Sequence, residues 1–84
     1  MNVKLIYFAW VRERIGRQGE ELPLATPMPV GELVERLRGR SAGHALALAD
    51  LSRLRAAVNQ QHVGWEAPVA PGDELALFPP VTGG

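Results

Sequence analysis

The chain of 84 residues contains no cysteine, which removes disulfides, thiolate metal sites and thiol nucleophiles at once. Any sulfur chemistry has to ride on another atom. Net charge is missing too: nine basic residues balance nine acidic ones, so no long-range field draws the chain to nucleic acid or an anionic membrane. No apolar run approaches the roughly 20 residues of a membrane span. The most apolar stretch, Met1 to Trp10, carries Lys4 and lacks a small-residue cleavage site; it reads as a strand, and the protein as cytoplasmic. Metal-ligand spacing is absent around His62, which has no His, Cys or carboxylate partner at a suitable interval. There is also no internal repeat, low-complexity segment or domain linker, and a chain this short builds one core, burying about 60 to 65% of its unfolded surface.

What is present is a sequence of short elements. Val3 to Ala9 is nearly all Val, Leu, Ile, Tyr and Phe, the composition of a buried strand placed centrally in a small sheet. Trp10 to Ile15 predicts a short helical turn capped by Gly16, and Gly19 to Leu24 a strand antiparallel to the first. Thr26-Pro27-Met28-Pro29 is excluded from a strand by two missing donors and suits the start of a helix. Val30, Leu33, Val34 and Leu37 then recur at helical spacing, with Glu32 and Arg36 outward at i, i+4. After the Gly39 to Gly43 loop, His44 to Leu51 predicts a second, shorter helix. Strands follow at Arg55 to Asn59, His62-Val63 and Glu74 to Phe78, the last preceded by a Pro71-Gly72-Asp73 turn.

This order, with one main helix crossing a mixed sheet, is that of an α+β, β-grasp (ubiquitin-like) domain over residues 1–80. Pro79-Pro80 ends the pairing, and Val81-Thr82-Gly83-Gly84 is expected to be a free, flexible tail. Two glycines at a given end arise by chance about once in 200 chains, so the pair acquires weight only from its context.

That context is a family resemblance. Phe78-Pro79-Pro80-Val81-Thr82-Gly83-Gly84, preceded by Gly72-Asp73-Glu74-Leu75-Ala76-Leu77, closely resembles the C-terminus of the molybdopterin synthase small subunits, the MoaD family of ubiquitin-like sulfur carriers. Val3 to Gly16 and Ala57-Val58-Asn59-Gln60 are similar to that family at matching spacings. The resemblance implies a carrier subunit that is not itself catalytic. An ATP-dependent activating enzyme would adenylylate the Gly84 carboxylate, sulfur would replace AMP to give a thiocarboxylate, and Val81, Thr82 and Gly83 would thread the terminus into the large synthase subunit. There the sulfur would pass to cyclic pyranopterin monophosphate, within an implied heterotetramer. No permanently bound cofactor or metal is implied. The thiamin-thiazole sulfur carriers and ubiquitin-like modifiers share the fold and the Gly-Gly end, and an inert ubiquitin-like binding module is a further alternative.

The chemistry of these residues fits such a cycle. A terminal carboxylate, with an ordinary pKa of about 3.3 to 3.7, is an anion at neutral pH and a poor electrophile until activated. Glycines lack a Cβ and pass a narrow channel. Phe78, following inward-facing Leu77, is expected to face out, exposed, as a docking anchor beside Pro79 and Pro80. His62 is placed near the same docking face. The family more often carries an apolar residue there, so His62 marks a departure from its pattern. Arg12 resembles a family position close to the partner and serves equally well as a helix-end residue. Trp10 and Trp65 are read as packing residues, and Arg36, Arg38 and Arg40 as a solvated helix end suited to the dipole.

Overall fold

In the computed structural model residues 1–80 are described; the expected tail, Val81 to Gly84, lies outside the described residues. Strand β1, Asn2–Tyr7, buries Val3, Leu5 and Tyr7 and leaves Lys4 exposed. It is therefore covered on one face only. α1, Ala9–Ile15, ends at Gly16 with φ 90, whose N–H donates to the Arg12 carbonyl at 2.8 Å, a left-handed stop that glycine adopts without strain. β2, Gly19–Pro23, pairs antiparallel with β1.

Met28–Pro29 forms a two-residue strand, β3, which corrects the reading that the prolines forbid one. It pairs with β6, Pro68–Val69, in a separate small ribbon. So short an edge pairing survives two prolines because Met28 and Val69 keep their own donors. The same segment starts the main helix, α2, Val30–Arg38, whose first N–H groups donate to the carbonyls of Ala67 and Trp65 at 2.9 Å, filling positions a helix cannot satisfy internally. Val30, Leu33, Val34 and Leu37 are fully buried, as their spacing predicts. The ion pair on α2 joins Glu35 to Arg38, and not Glu32 to Arg36.

The second helix, α3, runs Ala42–Ala47 and so begins earlier and ends earlier than expected. Ser41 sets its start by accepting the His44 N–H at 3.1 Å. Gly43 permits close packing on α1, since a Cβ there would lie 2.4 Å from the Arg14 carbonyl oxygen. A 3₁₀ turn over Leu51–Arg53 leads into β4, Arg55–Val58, then β5, Gln61–Val63, and finally β7, Glu74–Phe78. The main sheet has the order β2-β1-β7-β4-β5. β1 and β7 run parallel side by side, and β7 is the middle strand. Placing β1 centrally was therefore correct only in that both its edges are paired. No helix among the described residues is long and apolar enough to cross a membrane.

Two polar features hold the ends of this architecture. Asn59 and Gln60 turn β4 into β5 with φ 50 and 71, the conformation of a two-residue type I′ turn. Asn59 also clasps the start of β7, accepting the Glu74 N–H and donating to Asp73, both at 3.0 Å. On the helix side, Glu20 of β2 accepts Tyr7 Oη–H at 2.7 Å and meets His44 Nε2 at 2.6 Å, and Ser41 Oγ meets His44 Nδ1 at 2.7 Å. Arg17 and Arg40 approach the second Glu20 oxygen at 3.5 and 3.4 Å. Arg40 thus pairs, and Arg38 donates to the Leu48 carbonyl at 2.6 Å; of the arginines read as a solvated helix end, only Arg36 is without such a partner among the described residues. His44 is 4% and Tyr7 1% exposed, so the network ties β1, β2, the loop after α2, and α3 in a dry setting.

Burial pushes the Tyr7 phenol well above its ordinary value, reinforced by the hydrogen bond to Glu20. Burial also opposes ionisation of Glu20, but hydrogen bonds from His44 and Tyr7 and the nearby positive charges outweigh it and hold the carboxyl below its ordinary 4.5. A depressed carboxyl stabilises the fold above its unfolded value, and that contribution is lost as pH falls through the folded value. Glu20→Gln is expected to cost about 1 to 3 kcal/mol at neutral pH, and the gap from the parent should narrow below pH 4.5; urea melts of both proteins across pH 3 to 7 check this. Gln60→Gly should instead stabilise by roughly 0.5 to 1 kcal/mol, because glycine removes the left-handed penalty at some entropic cost. Thermal melting measures that gain.

Candidate functional site

The parallel register of β1 and β7 ends at Tyr7 opposite Leu77, and the antiparallel register of β4 places Arg55 opposite Phe78. The segments leaving β1 and β7 therefore emerge at one end of the sheet, where β4 enters. Leu77 points into the core and is fully buried, so Phe78 turns to the other face. It is half-buried there, and not exposed as its position in the alternation predicts. The cover comes from two side chains. Phe8 meets it edge-on, with ring centroids 6.5 Å apart and planes at 81°, and exposed His62 of β5 tilts against it at 5.2 Å. Such aromatic arrangements are favourable beyond the area they bury.

Phe8 was not singled out from sequence, yet it is 47% exposed and central to this surface. Its N–H donates to the Leu77 carbonyl at 3.2 Å, continuing the β1–β7 ladder by one step. The next residue, Ala9, sits at φ 52, a left-handed conformation that is strained for a residue with a Cβ. This reversal swings the chain from the sheet into α1. A signal existed: inward Tyr7 in an alternating strand requires outward Phe8, at the end of the strand that pairs with β7.

Pro79 and Pro80, half-buried, extend from Phe78. Arg12 is exposed on α1, its backbone N–H donating to the Phe8 carbonyl at 3.4 Å. The structure thus brings His62, Phe78, Pro79 and Pro80 to one surface, with Arg12 one turn beyond Phe8; Val81, Thr82, Gly83 and Gly84 lie outside the described residues. Trp10 and Trp65 pack half-buried against the core, as expected.

Chemically, the surface is an aromatic platform at the base of a proline-stiffened exit. It offers contact area and no acid–base pair. Among the described residues no group of three or more His, Asp or Glu side chains is placed to hold a metal ion.

Comparison with known proteins is consistent with this arrangement. A molybdopterin synthase sulfur carrier subunit of Escherichia coli is 44% identical over 82 residues, covering 98% of this chain and 99% of that protein. The crystal structure of SAMP1 from Haloferax volcanii superposes with a TM-score of 0.75 at 26% identity, covering all of both chains. A chain from the complex of subunits 1 and 2 of molybdopterin-converting factor of Helicobacter pylori matches with a TM-score of 0.67 over all of both chains, and at 22% identity it speaks for the fold alone. The ubiquitin-like, β-grasp architecture expected from the strand order is the one found. The model of the ThiS family matches residues 5–84, and the chain belongs to the ThiS family.

Proposed function

We propose that this protein is the sulfur-carrier subunit of a molybdopterin synthase, a co-substrate that is charged, consumed and recharged. The full-length likeness to the Escherichia coli carrier subunit carries this reading. The family to which the chain belongs bears the name of a different sulfur carrier, so membership alone leaves the thiamin-thiazole role open; the likeness to SAMP1 supports a protein modifier as the second reading.

In the proposed cycle the Gly84 carboxylate attacks the α-phosphate of ATP on an activating enzyme and pyrophosphate leaves. The terminal sulfur of a persulfide-class donor then attacks the acyl carbon of the adenylate, forming a C–S bond as the C–O bond breaks and AMP departs. Reductive cleavage of the resulting S–S bond by a thiol leaves the thiocarboxylate. In the large subunit the thiocarboxylate sulfur forms a C–S bond to the pterin precursor as an oxygen leaving group departs, and water then cleaves the acyl C–S bond, leaving sulfur on the pterin and the carboxylate on Gly84. Activation is required because a carboxylate resists nucleophiles. The absence of cysteine leaves the terminal acyl carbon as the place for sulfur.

The platform of Phe8, His62 and Phe78 supplies the docking energy, and the tail supplies reach. Four residues beyond Pro80 extend roughly 13 Å, enough to cross a partner's surface into an enclosed site. Pro79 and Pro80 lower the ordering entropy when the arm docks. The proposed partner is the large subunit of the synthase, which the full-length likeness to a carrier subunit supports, and the proposed assembly is a heterotetramer.

Phe78→Ala is expected to weaken the complex with the large subunit by about 2 kcal/mol, the scale of an aromatic hot spot. Because Phe78 lies off the core face, melting should move far less than affinity; calorimetric titration and thermal melts read the two separately. Unchanged affinity with a collapsed melting point would make Phe78 a structural residue.

Deletion of Gly84 should abolish sulfur transfer, with stability shifted by no more than about 0.5 kcal/mol. It withdraws the reactive carboxyl by about 3.5 Å at full extension, and errors near 1 Å already cost about a hundredfold in positioned reactions. The assay combines activating enzyme, sulfur donor, large subunit and pterin precursor and measures dithiolene product. Full turnover by the deleted chain would remove the terminal carboxyl from the mechanism.

A further inference from the structure

α1 carries a second feature that the aromatic platform does not use. Trp10 has the Arg14 guanidinium 4.4 Å from its ring centroid and the Arg53 guanidinium 5.8 Å away, both within the range of cation–π attraction. With Leu46 and Asp50 these residues line a groove of about 370 Å³ between α1, the end of α3 and the segment following it. Both arginines are exposed, and neither has a carboxylate within ion-pairing distance among the described residues. The one acid in the groove, Asp50, is turned to its own turn: it accepts Ser52 N–H at 3.0 Å and Ser52 Oγ–H at 2.6 Å. Leu46 stands 63% exposed at the rim.

We propose that this groove is a docking site for an acidic segment of a partner protein that also carries an apolar side chain. An arginine held against an indole has its planar fork oriented before any ligand arrives, so less entropy is lost when it grips a carboxylate. Two such forks on one tryptophan form a cationic clamp that no carboxylate of the described residues fills at ion-pairing distance. Exposed Leu46 beside it favours a peptide over a free anion, since an anion alone would leave that apolar surface in water. Tryptophan and arginine are also the residues that most often dominate interface energies.

Position supports the same partner class. α1 follows Phe8 directly, and Arg53 lies two residues before Arg55, which pairs with Phe78. The clamp therefore adjoins the end of the sheet from which Pro79-Pro80 leads. A protein covering the aromatic platform has only to extend an acidic loop along α1 to reach it. The site does not depend on the chemistry of the terminus.

The test uses the isotope-labelled full chain, titrated with a short capped peptide of aspartate, glutamate and leucine, with its asparagine–glutamine counterpart, and with ATP. The acidic peptide should move the Trp10 indole N–H and the Arg14 and Arg53 side-chain resonances saturably, and the amide peptide should not. The Trp65 indole serves as the internal control. Arg14→Glu with Arg53→Glu, both at exposed positions, should weaken binding by about tenfold or more. Binding should persist in the chain lacking Gly84, which separates this site from the carrier reading. The proposal is overturned if Trp10 shows no saturable response, if the double variant binds equally well, or if ATP and not the peptide shifts Trp10.

Discussion

The parallel pairing of β1 with β7 is the constraint on which the rest of the molecule depends. It is the one contact in the sheet that joins strands running the same way, and so it sends the chain out of both strands at the same end. Phe8 follows one and Pro79 the other, which is why two aromatics distant in sequence meet there. Had the strands been antiparallel, the platform and the proline exit would lie at opposite ends of the sheet. The site is in this sense a product of topology before it is a product of side chains.

The buried polar network works on the other side of the same strand. Tyr7 fills the core beneath the end of β1, but its hydroxyl demands a partner there. Glu20 meets the demand and introduces a charge, which His44, Arg17 and Arg40 surround. Buried ion pairs often contribute little net stability compared with apolar packing. This one joins β2 and α3 to the end of β1 through the Tyr7, Glu20 and His44 side chains.

Much of this was legible in the sequence because local signals and the global fold agree. The apolar spacing of Val30, Leu33, Val34 and Leu37 marked the main helix and its buried face, and Gly16 and Gly72 marked reversals of the chain. The failures share a cause. Met28–Pro29, the bonds from Arg38 to Leu48 and from Arg40 to Glu20, and the cover over Phe78 are decided by residues outside the local stretch. Alternation gives Phe78 its face, but only the sheet order reveals Phe8 and His62 beside it. Starting the second helix at His44 missed the cap at Ser41, and that His44 also closes onto Glu20 was not readable without the fold.

Joining Lys4 to Glu74 in one ladder has a cost in time. Contacts between remote parts of a chain form slowly, since loop closure precedes any reward. Until β7 arrives, β1 and β4 both hold an open edge beside apolar side chains, the state from which strands pair with the wrong chain. A copy interrupted before Glu74 is therefore a candidate for aggregation and not a slightly shortened carrier. Quality control is built into the strand order: a molecule that folds has, by folding, the strand that leads to its terminus.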